Sequence, residues 1–255
     1  MTNNQEYELL RFASLSSTND YLKNHLDMGI GQRDLPVFVL AEEQSSGRGR
    51  LGRSWHSPKG GIYLSLLWPR PLPLQVAQSL PLIVAVAVRQ ALQPLSEQLI
   101  KLKWPNDLVV EDGAIRSKLV GILVELVNEK AIIGIGVNVF SDGNSAGLDN
   151  AYLINGSINT DPKGLYDQSV EQLIKCLLDC LGLWEGQGFS FEPFREEYQQ
   201  YLTQLGEYVE VSNAFGELVA AGTIEGIDNN GLLMLSNDEG MQKVVSGEVT
   251  LRKNV

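Results

Sequence analysis

The sequence predicts an α+β fold: a mixed, largely antiparallel sheet with helices packed on it, followed by a small C-terminal β-barrel. Three observations predict it. Consecutive apolar runs between Ile100 and Val139 (IKLKW, LVVEDGAI, LVGILVELV and AIIGIGVNV) are separated only by short turns, which is how a sheet of neighbouring strands reads. Two other stretches, Leu74–Leu95 and Val170–Leu181, carry helical periodicity. After Gly206 the pattern breaks into short strands divided by turns such as Asp228-Asn229-Asn230-Gly231. The expected domains are therefore 1–205 and 206–255, the second too small to be robust without packing on a neighbour.

In chain order, Glu8–Phe12 reads as a first strand. LSSTNDYLKNHLDMG reads as a helix capped near Ser17–Thr18 and stopped at Gly29. Pro36–Gln44 is a β-rich run that enters a glycine-rich loop, with glycine at 47, 49, 52, 60 and 61, and Ile62–Trp68 is the next strand. In the helical region Leu74–Leu95, Pro81 suits a first turn and Ser79 a cap. Ile100–Trp104 is a strand ended by Pro105, Glu111-Asp112-Gly113 a hairpin turn, and Asn128–Glu129 the link between the next two strands. Ser141–Lys163, rich in Asn, Gly, Ser and Asp, reads as a long functional loop. Val170, Leu173, Ile174, Leu177, Leu178 and Leu181 share one face of an amphipathic helix, and Phe191–Leu202 is another helix.

Composition narrows the function. The chain has 255 residues, 44% hydrophobic and 20% charged, ordinary for a globular protein with a sizeable core. A formal net charge of −11 opposes nonspecific binding to nucleic acid or anionic membrane. The N-terminal MTNNQEYELL lacks a signal-peptide core, and Pro81 and Arg89 interrupt the longest apolar run. Cys176 and Cys180 lie four apart on one helix face and suit a reducing, cytoplasmic setting.

Four elements carry candidate chemistry. In Gly47-Arg48-Gly49-Arg50-Leu51-Gly52-Arg53-Ser54-Trp55, glycines let backbone approach a ligand and forked guanidinium donors suit phosphate or carboxylate. The loop lacks the Gly-Lys-Ser/Thr of a P-loop; an RGG-like nucleic-acid segment and a solvated basic loop are the other readings of the motif taken alone, and the acidic chain and the single copy count against them. Lys103-Trp104-Pro105-Asn106-Asp107 presents an amide and a carboxylate, fit for a polar ligand edge, Mg²⁺ or a lysine amine, or simply an Asn-Asp turn. Lys118 opens the apolar run Leu119–Glu125, where its amine meets an anion in a pocket or sits on a strand edge. Glycines in Gly134-Ile135-Gly136-Val137-Asn138 suggest close backbone or ligand approach.

With Ser17-Thr18-Asn19, these elements fall in the order STN, Gln–GRGRxGRxW, KWPND, KxxGILVE, GIGxNV. The pattern resembles the biotin–protein ligase (biotin–[acetyl-CoA-carboxylase] ligase) family in its form without an N-terminal DNA-binding domain. The resemblance spans Leu9–Asn138, and IEGIDNNGLLML…VVSGEVTLR is similar to the family's C-terminal SH3-like module. It implies the class II synthetase-like superfold of biotin and lipoate ligases. It further implies biotin binding by Ser17, Thr18, Asn19 and Gln44, whose hydroxyl and amide groups supply the donors and acceptors a ureido ring needs. Arg48, Gly49 and Arg50 would fold over biotin and the phosphates, and Lys118 would meet the biotin carboxylate and the α-phosphate. Arg48, Arg50 and Lys118 are thus the expected catalytic groups. Trp55, Asn106 and Asn138 are the expected nucleotide-side groups, and Asp107 the Mg²⁺ ligand or acceptor of the incoming lysine's proton.

The implied substrates are biotin and Mg-ATP, the implied partner a biotin carboxyl carrier protein, and the implied assembly a monomer or homodimer without DNA or membrane. Because substrate supplies the nucleophile, His25 and His56 need no catalytic role. The EDGAIRS extension departs from the family pattern, and no tryptophan stands in Ser141–Lys163 to stack on adenine. Three alternatives remain: a lipoate–protein ligase of the same superfold, a non-catalytic biotin-binding adaptor, and a nucleic-acid module using the arginine loop.

Overall fold

The computed structural model describes residues 6–32, 34–113, 115–140, 153 and 162–251. The chain divides into two compact units, Met1–Ala77 with Arg116–Val170, and Gln78–Ile115 with Glu171–Val255.

The first unit is organised by a sheet. Its strands are β1 (Glu8–Phe12), β2 (Val37–Ala41), β3 (Ile62–Leu67), β6 (Ile115–Val127) and β7 (Lys130–Val137). Within the unit they run in the order β1-β2-β3-β7-β6. Only β1–β2 is parallel; the other pairs are antiparallel, so the expected mixed, largely antiparallel sheet is present. Asn128 and Glu129 turn the β6–β7 hairpin with positive φ, +50° and +63°. Helix α1 (Thr18–His25) lies on one sheet face, where Leu22 packs with Val37, Val39, Leu67 and Ile132. Ser17 caps it as expected: its side-chain oxygen accepts from the Asp20 backbone N–H at 3.3 Å. The helix ends at His25, before the expected stop; a short 3₁₀ turn, Leu26–Met28, carries the chain to Gly29 at φ +101°. His25 stacks on Tyr21 and bonds its carbonyl, a packing role.

In the second unit, helix α2 (Leu80–Leu92) is buried on nearly all sides, which explains its lack of a polar face. Ser79 precedes it in helical conformation without a side-chain cap bond, so the cap expected there is absent; Pro81 does sit in the first turn. Strands β4 (Ile100–Lys103) and β5 (Asp107–Asp112) pair antiparallel. Helix α3 (Pro162–Gly186) begins in the first unit's residues, ahead of the periodic stretch that announced it, and helix α4 (Glu192–Gln200) follows. After Gly206 come β8 (Tyr208–Ser212), β9 (Leu218–Ile227), β10 (Leu233–Asn237), β11 (Gly240–Val244) and β12 (Glu248–Leu251), an antiparallel sheet in the order β11-β10-β9-β8-β12. Most of the Ser141–Lys163 loop lies outside the described residues. No helix among the described residues is long and apolar enough to cross a membrane.

The helices and the C-terminal sheet of this unit are joined by buried polar contacts. Arg195 donates to the Ile227 carbonyl at 2.9 Å, and the Trp104 indole to the Gly231 carbonyl at 3.2 Å. Arg89 is 6% exposed. It donates to the Ile100 carbonyl (3.0 Å) and to Glu197 (3.2 Å), and lies over the Tyr201 ring. Removing one partner of such a pair strands the others without water. Arg89→Ala is expected to cost about 3 kcal/mol of unfolding free energy, read as a lower urea midpoint at unchanged slope.

Candidate functional site

The site builds from the start of α1. Thr18 and Asn19 are each 4% exposed, and helix geometry turns both onto the sheet. The Gln44 side-chain oxygen accepts from the Thr18 backbone N–H at 2.8 Å and from its hydroxyl at 3.1 Å. The Gln44 amide donates to Ser57 Oγ at 2.9 Å, and Ser57 donates to the Trp55 carbonyl. From below, Ser65 of β3, wholly buried, places its hydroxyl 2.7 Å from Thr18 Oγ1 and 2.6 Å from Asn19 Oδ1. The Asn19 amide nitrogen donates to Glu125 Oε2 at 2.9 Å. Donors and acceptors therefore form one directional chain from Glu125 through Asn19 to Ser65, with Gln44 held beside it.

Glycines make the floor. Gly121, Gly136, Gly134 and Ser65 occupy one face of the sheet by register: Tyr63↔Gly136↔Gly121 and Ser65↔Gly134↔Leu123. A Cβ on Gly134 would overlap the Asn19 side-chain oxygen, and one on Gly136 would overlap the Trp55 indole nitrogen. A Cβ on Gly121 would stand 2.8 Å from the Trp55 ring. Trp55 thus lies flat in the glycine groove, with the Lys118 amine 5.1 Å from the ring centroid. Its indole N–H is buried with no hydrogen-bond partner, a cost to the folded state. Asn138 holds this end together, donating from its side chain to the Lys118 carbonyl at 3.1 Å and from its backbone to the Leu119 carbonyl at 3.0 Å.

The arginine loop folds back on itself through an Arg48–Ser54 bridge and a 2.7 Å bond from Gly49 N–H to the Arg53 carbonyl. Its tip, Arg50–Gly52, is a 3₁₀ turn with Leu51 at φ +57°, a left-handed conformation a leucine adopts at a cost. Arg48 is fully engaged. Its guanidinium forks onto Glu125 (3.2 and 2.7 Å) and meets Asp20 through Nε at 3.1 Å and through a terminal nitrogen at 2.6 Å. Burial alone would lower the Arg48 pKa, but the hydrogen bonds and charges of Glu125 and Asp20 outweigh it and raise it. Burial alone would raise Glu125; the bonds from Arg48 and Asn19 and the Arg48 and Lys23 charges outweigh that and hold it low.

Of the residues expected from sequence, Ser17, Thr18, Asn19, Gln44, Arg48, Gly49, Arg50, Trp55, Lys118 and Asn138 all belong to the first unit. Asn106 and Asp107 belong to the second, where the turn after Trp104-Pro105 leads into β5. There the Asp107 charge adds to burial in raising the Tyr198 phenol pKa, burial being the larger cause. A cavity of about 500 Å³ in the first unit is lined by other residues, among them Arg11, Phe12, Glu42, Phe140 and Tyr166. The motif residues converge instead where Trp55 fills the glycine groove. Sequence reasoning missed Asp20, Ser57, Ser65 and Glu125 as site groups. Ser65 had a signal: a serine in the otherwise large, wholly buried strand IYLSLL.

Polar groups thus converge over a glycine floor beside an arginine-rich loop. Residues 11–139 match the Biotin/lipoate A/B protein ligase family, and residues 214–252 match the Biotin protein ligase C terminal domain. The chain belongs to that ligase family. It is 31% identical over 223 residues to the Bifunctional ligase/repressor BirA of Bacillus subtilis, covering 84% of this chain and 66% of the relative. It is 30% identical to the Biotin--[acetyl-CoA-carboxylase] ligase of Paracoccus denitrificans, covering 84% and 89%. The solved biotin protein ligase from Aquifex aeolicus in complex with biotin and ATP superposes with a TM-score of 0.74 at 28% identity, covering 97% of this chain and 99% of that one.

Linkage fixes the sign of one pH effect. A carboxyl held low in the folded state stabilises it above the ordinary carboxylate range, and that contribution is lost as pH falls through the lowered Glu125 pKa. Urea midpoints followed from about pH 7 to about pH 3 should therefore fall less steeply for Glu125→Gln than for wild type.

Proposed function

We propose that this chain is a biotin–protein ligase that activates biotin with ATP and transfers it to a lysine of a biotin carrier protein. One observation carries the reading: a buried amide-and-hydroxyl cluster (Thr18, Asn19, Gln44, Ser65) lies over a glycine floor with Arg48 at its edge and Trp55 beside it. A ureido ring needs donors and acceptors together, and an acyl carboxylate needs cations nearby. The names of the relatives and of the superposed structure support the same substrates.

In this reading Ser17, Thr18, Asn19 and Gln44 hold biotin. Arg48, Gly49 and Arg50 close over it, and Lys118 meets its carboxylate and the α-phosphate. Trp55, Asn138 and Asn106 serve the nucleotide. Mg²⁺ arrives with ATP as part of the substrate. Among the described residues no cluster of three or more His, Cys, Asp or Glu could hold a metal alone. In this reading Asp107 helps to hold that ion. The biotin carboxylate attacks the α-phosphorus, forming an acyl–phosphate bond and releasing pyrophosphate. The carrier's neutral lysine amine then attacks the acyl carbon, AMP leaves with the bonding electrons, and the amine's proton passes to a base. The chain's residues supply alignment and positive charge against developing phosphate charge.

Residues 206–255 form the proposed SH3-like module, and the reduced Cys176 and Cys180 suit a cytoplasmic setting. The net charge of −11 disfavours a nucleic-acid partner.

The test is pyrophosphate release from ATP and Mg²⁺ with either biotin or lipoate. Release with biotin is expected; release with lipoate alone removes the reading, and no release favours the non-catalytic adaptor. Lys118→Ala is expected to lower biotin-dependent release by roughly 10²-fold or more with an unchanged thermal midpoint. A wild-type rate in that variant would take Lys118 out of the chemistry.

A further inference from the structure

The Arg48 guanidinium has two anions on it, and they are held differently. Glu125 projects from the sheet strand β6 and takes both terminal nitrogens in a fork, while also accepting from Asn19. Its side chain is 20% exposed, and it is tied to two elements at once. Asp20 sits in the first turn of α1 and contacts Arg48 through the Nε edge. Its side chain is 33% exposed, and none of its carboxylate oxygens bonds any other side chain among the described contacts. Its backbone N–H is the group that Ser17 caps, so the α1 cap bond is made without the Asp20 carboxylate.

We propose that Asp20 is a stand-in anion: it occupies the edge of Arg48 that a substrate oxyanion takes, and so sets how tightly the site binds that oxyanion. Glu125 is the permanent partner that aims the guanidinium; Asp20 is the replaceable one. The inference rests on the ligase reading above and goes past it by naming a residue that lowers substrate affinity. A guanidinium binds carboxylate and phosphate through the same fork, so the incoming oxyanion is either the biotin carboxylate or an ATP phosphate. Asp20 also places a like charge directly beside the edge of Arg48 that an arriving anion would take, and so repels it. Withdrawing Asp20 removes both the competition and the repulsion.

Asp20→Asn keeps the side chain's shape and removes the charge. Calorimetric titration of the full chain with biotin against biotin methyl ester, and with ATP against adenosine, separates the two oxyanions. The variant should bind one charged ligand about three- to tenfold more tightly than wild type does and leave the matching uncharged ligand unchanged. The gain should shrink as salt is raised to about 0.5 M. A gain confined to the biotin pair assigns the carboxylate, and one confined to the ATP pair the phosphate. Equal changes for charged and uncharged partners, no change, or weaker binding of the charged ones would overturn the proposal. Wild-type binding of biotin together with any of those results leaves the ligase reading standing. Failure of the wild type to bind biotin at all removes both.

Discussion

The close approach of helix α1 to strand β7 at Gly134 is the constraint on which the site's geometry depends. A side chain there would occupy the position of the Asn19 amide. Because glycine leaves it open, Asn19 reaches between Ser65 below and Glu125 alongside. That fixes which end of the amide donates and which accepts, and the fixed amide orients everything bonded through it. Glu125, bonded on one side by Asn19, presents its remaining lone pairs to Arg48. Thr18, one residue back on α1, is placed by the same helix to bond Gln44, which in turn braces Ser57 and the Trp55 backbone. One missing methyl group thus sets the position of both the amide pocket and the arginine loop. Buried polar networks are worth having only when every member is satisfied, and this one is closed at each step from Ser65 to Glu125.

The legible part of this structure is the part carried by short-range pattern. Capping of α1 by Ser17, the turn at Asn128–Glu129 and the buried helix after Pro81 follow from local chemistry, and each is present. The arginine loop also stood out in the sequence, because glycines and arginines at close spacing have few structural uses. What could not be read was partnership across long separations. Asn19 and Glu125 are 106 positions apart, Arg48 and Glu125 77, and no periodicity links them. Arg48 looked like a cation awaiting an anion; folded, it already holds two. The Ser79 cap failed for a local reason, its backbone being already helical, so its side chain cannot take the extended geometry a cap needs.

The glycine groove shows why residue type alone would mislead about the ligand. Gly121 and Gly136 face the same side, and a Cβ on either would meet Trp55, so in this structure the indole occupies what the glycines vacate. The indole pays for that seat with a buried, unbonded N–H, a cost of about 1–3 kcal/mol. The Lys118 amine beside the same ring adds a cation at the groove's end. In this structure the groove is thus filled by the chain's own indole, with a lysine amine at its end.

The compensation of Arg48 also accounts for an apparent conflict between charge and function. A chain with a net charge of −11 repels anions at long range, yet the proposed chemistry joins a carboxylate to a triphosphate. Distant surface charge is screened beyond roughly 8–10 Å at physiological salt, so affinity is decided by what stands within contact range. There the site has fixed cations, Arg48 aimed by Glu125 and Lys118 held through its backbone by Asn138. Holding a cation ready in a low-dielectric setting without a ligand requires a counter-charge nearby, since an unpaired, partly buried charge is costly. Carboxylates beside the guanidinium meet that need and keep the loop in place before substrate arrives, at the expense of affinity once it does. Preorganisation and weak competition are two results of the same contact, and their balance depends on how firmly each carboxylate is itself held.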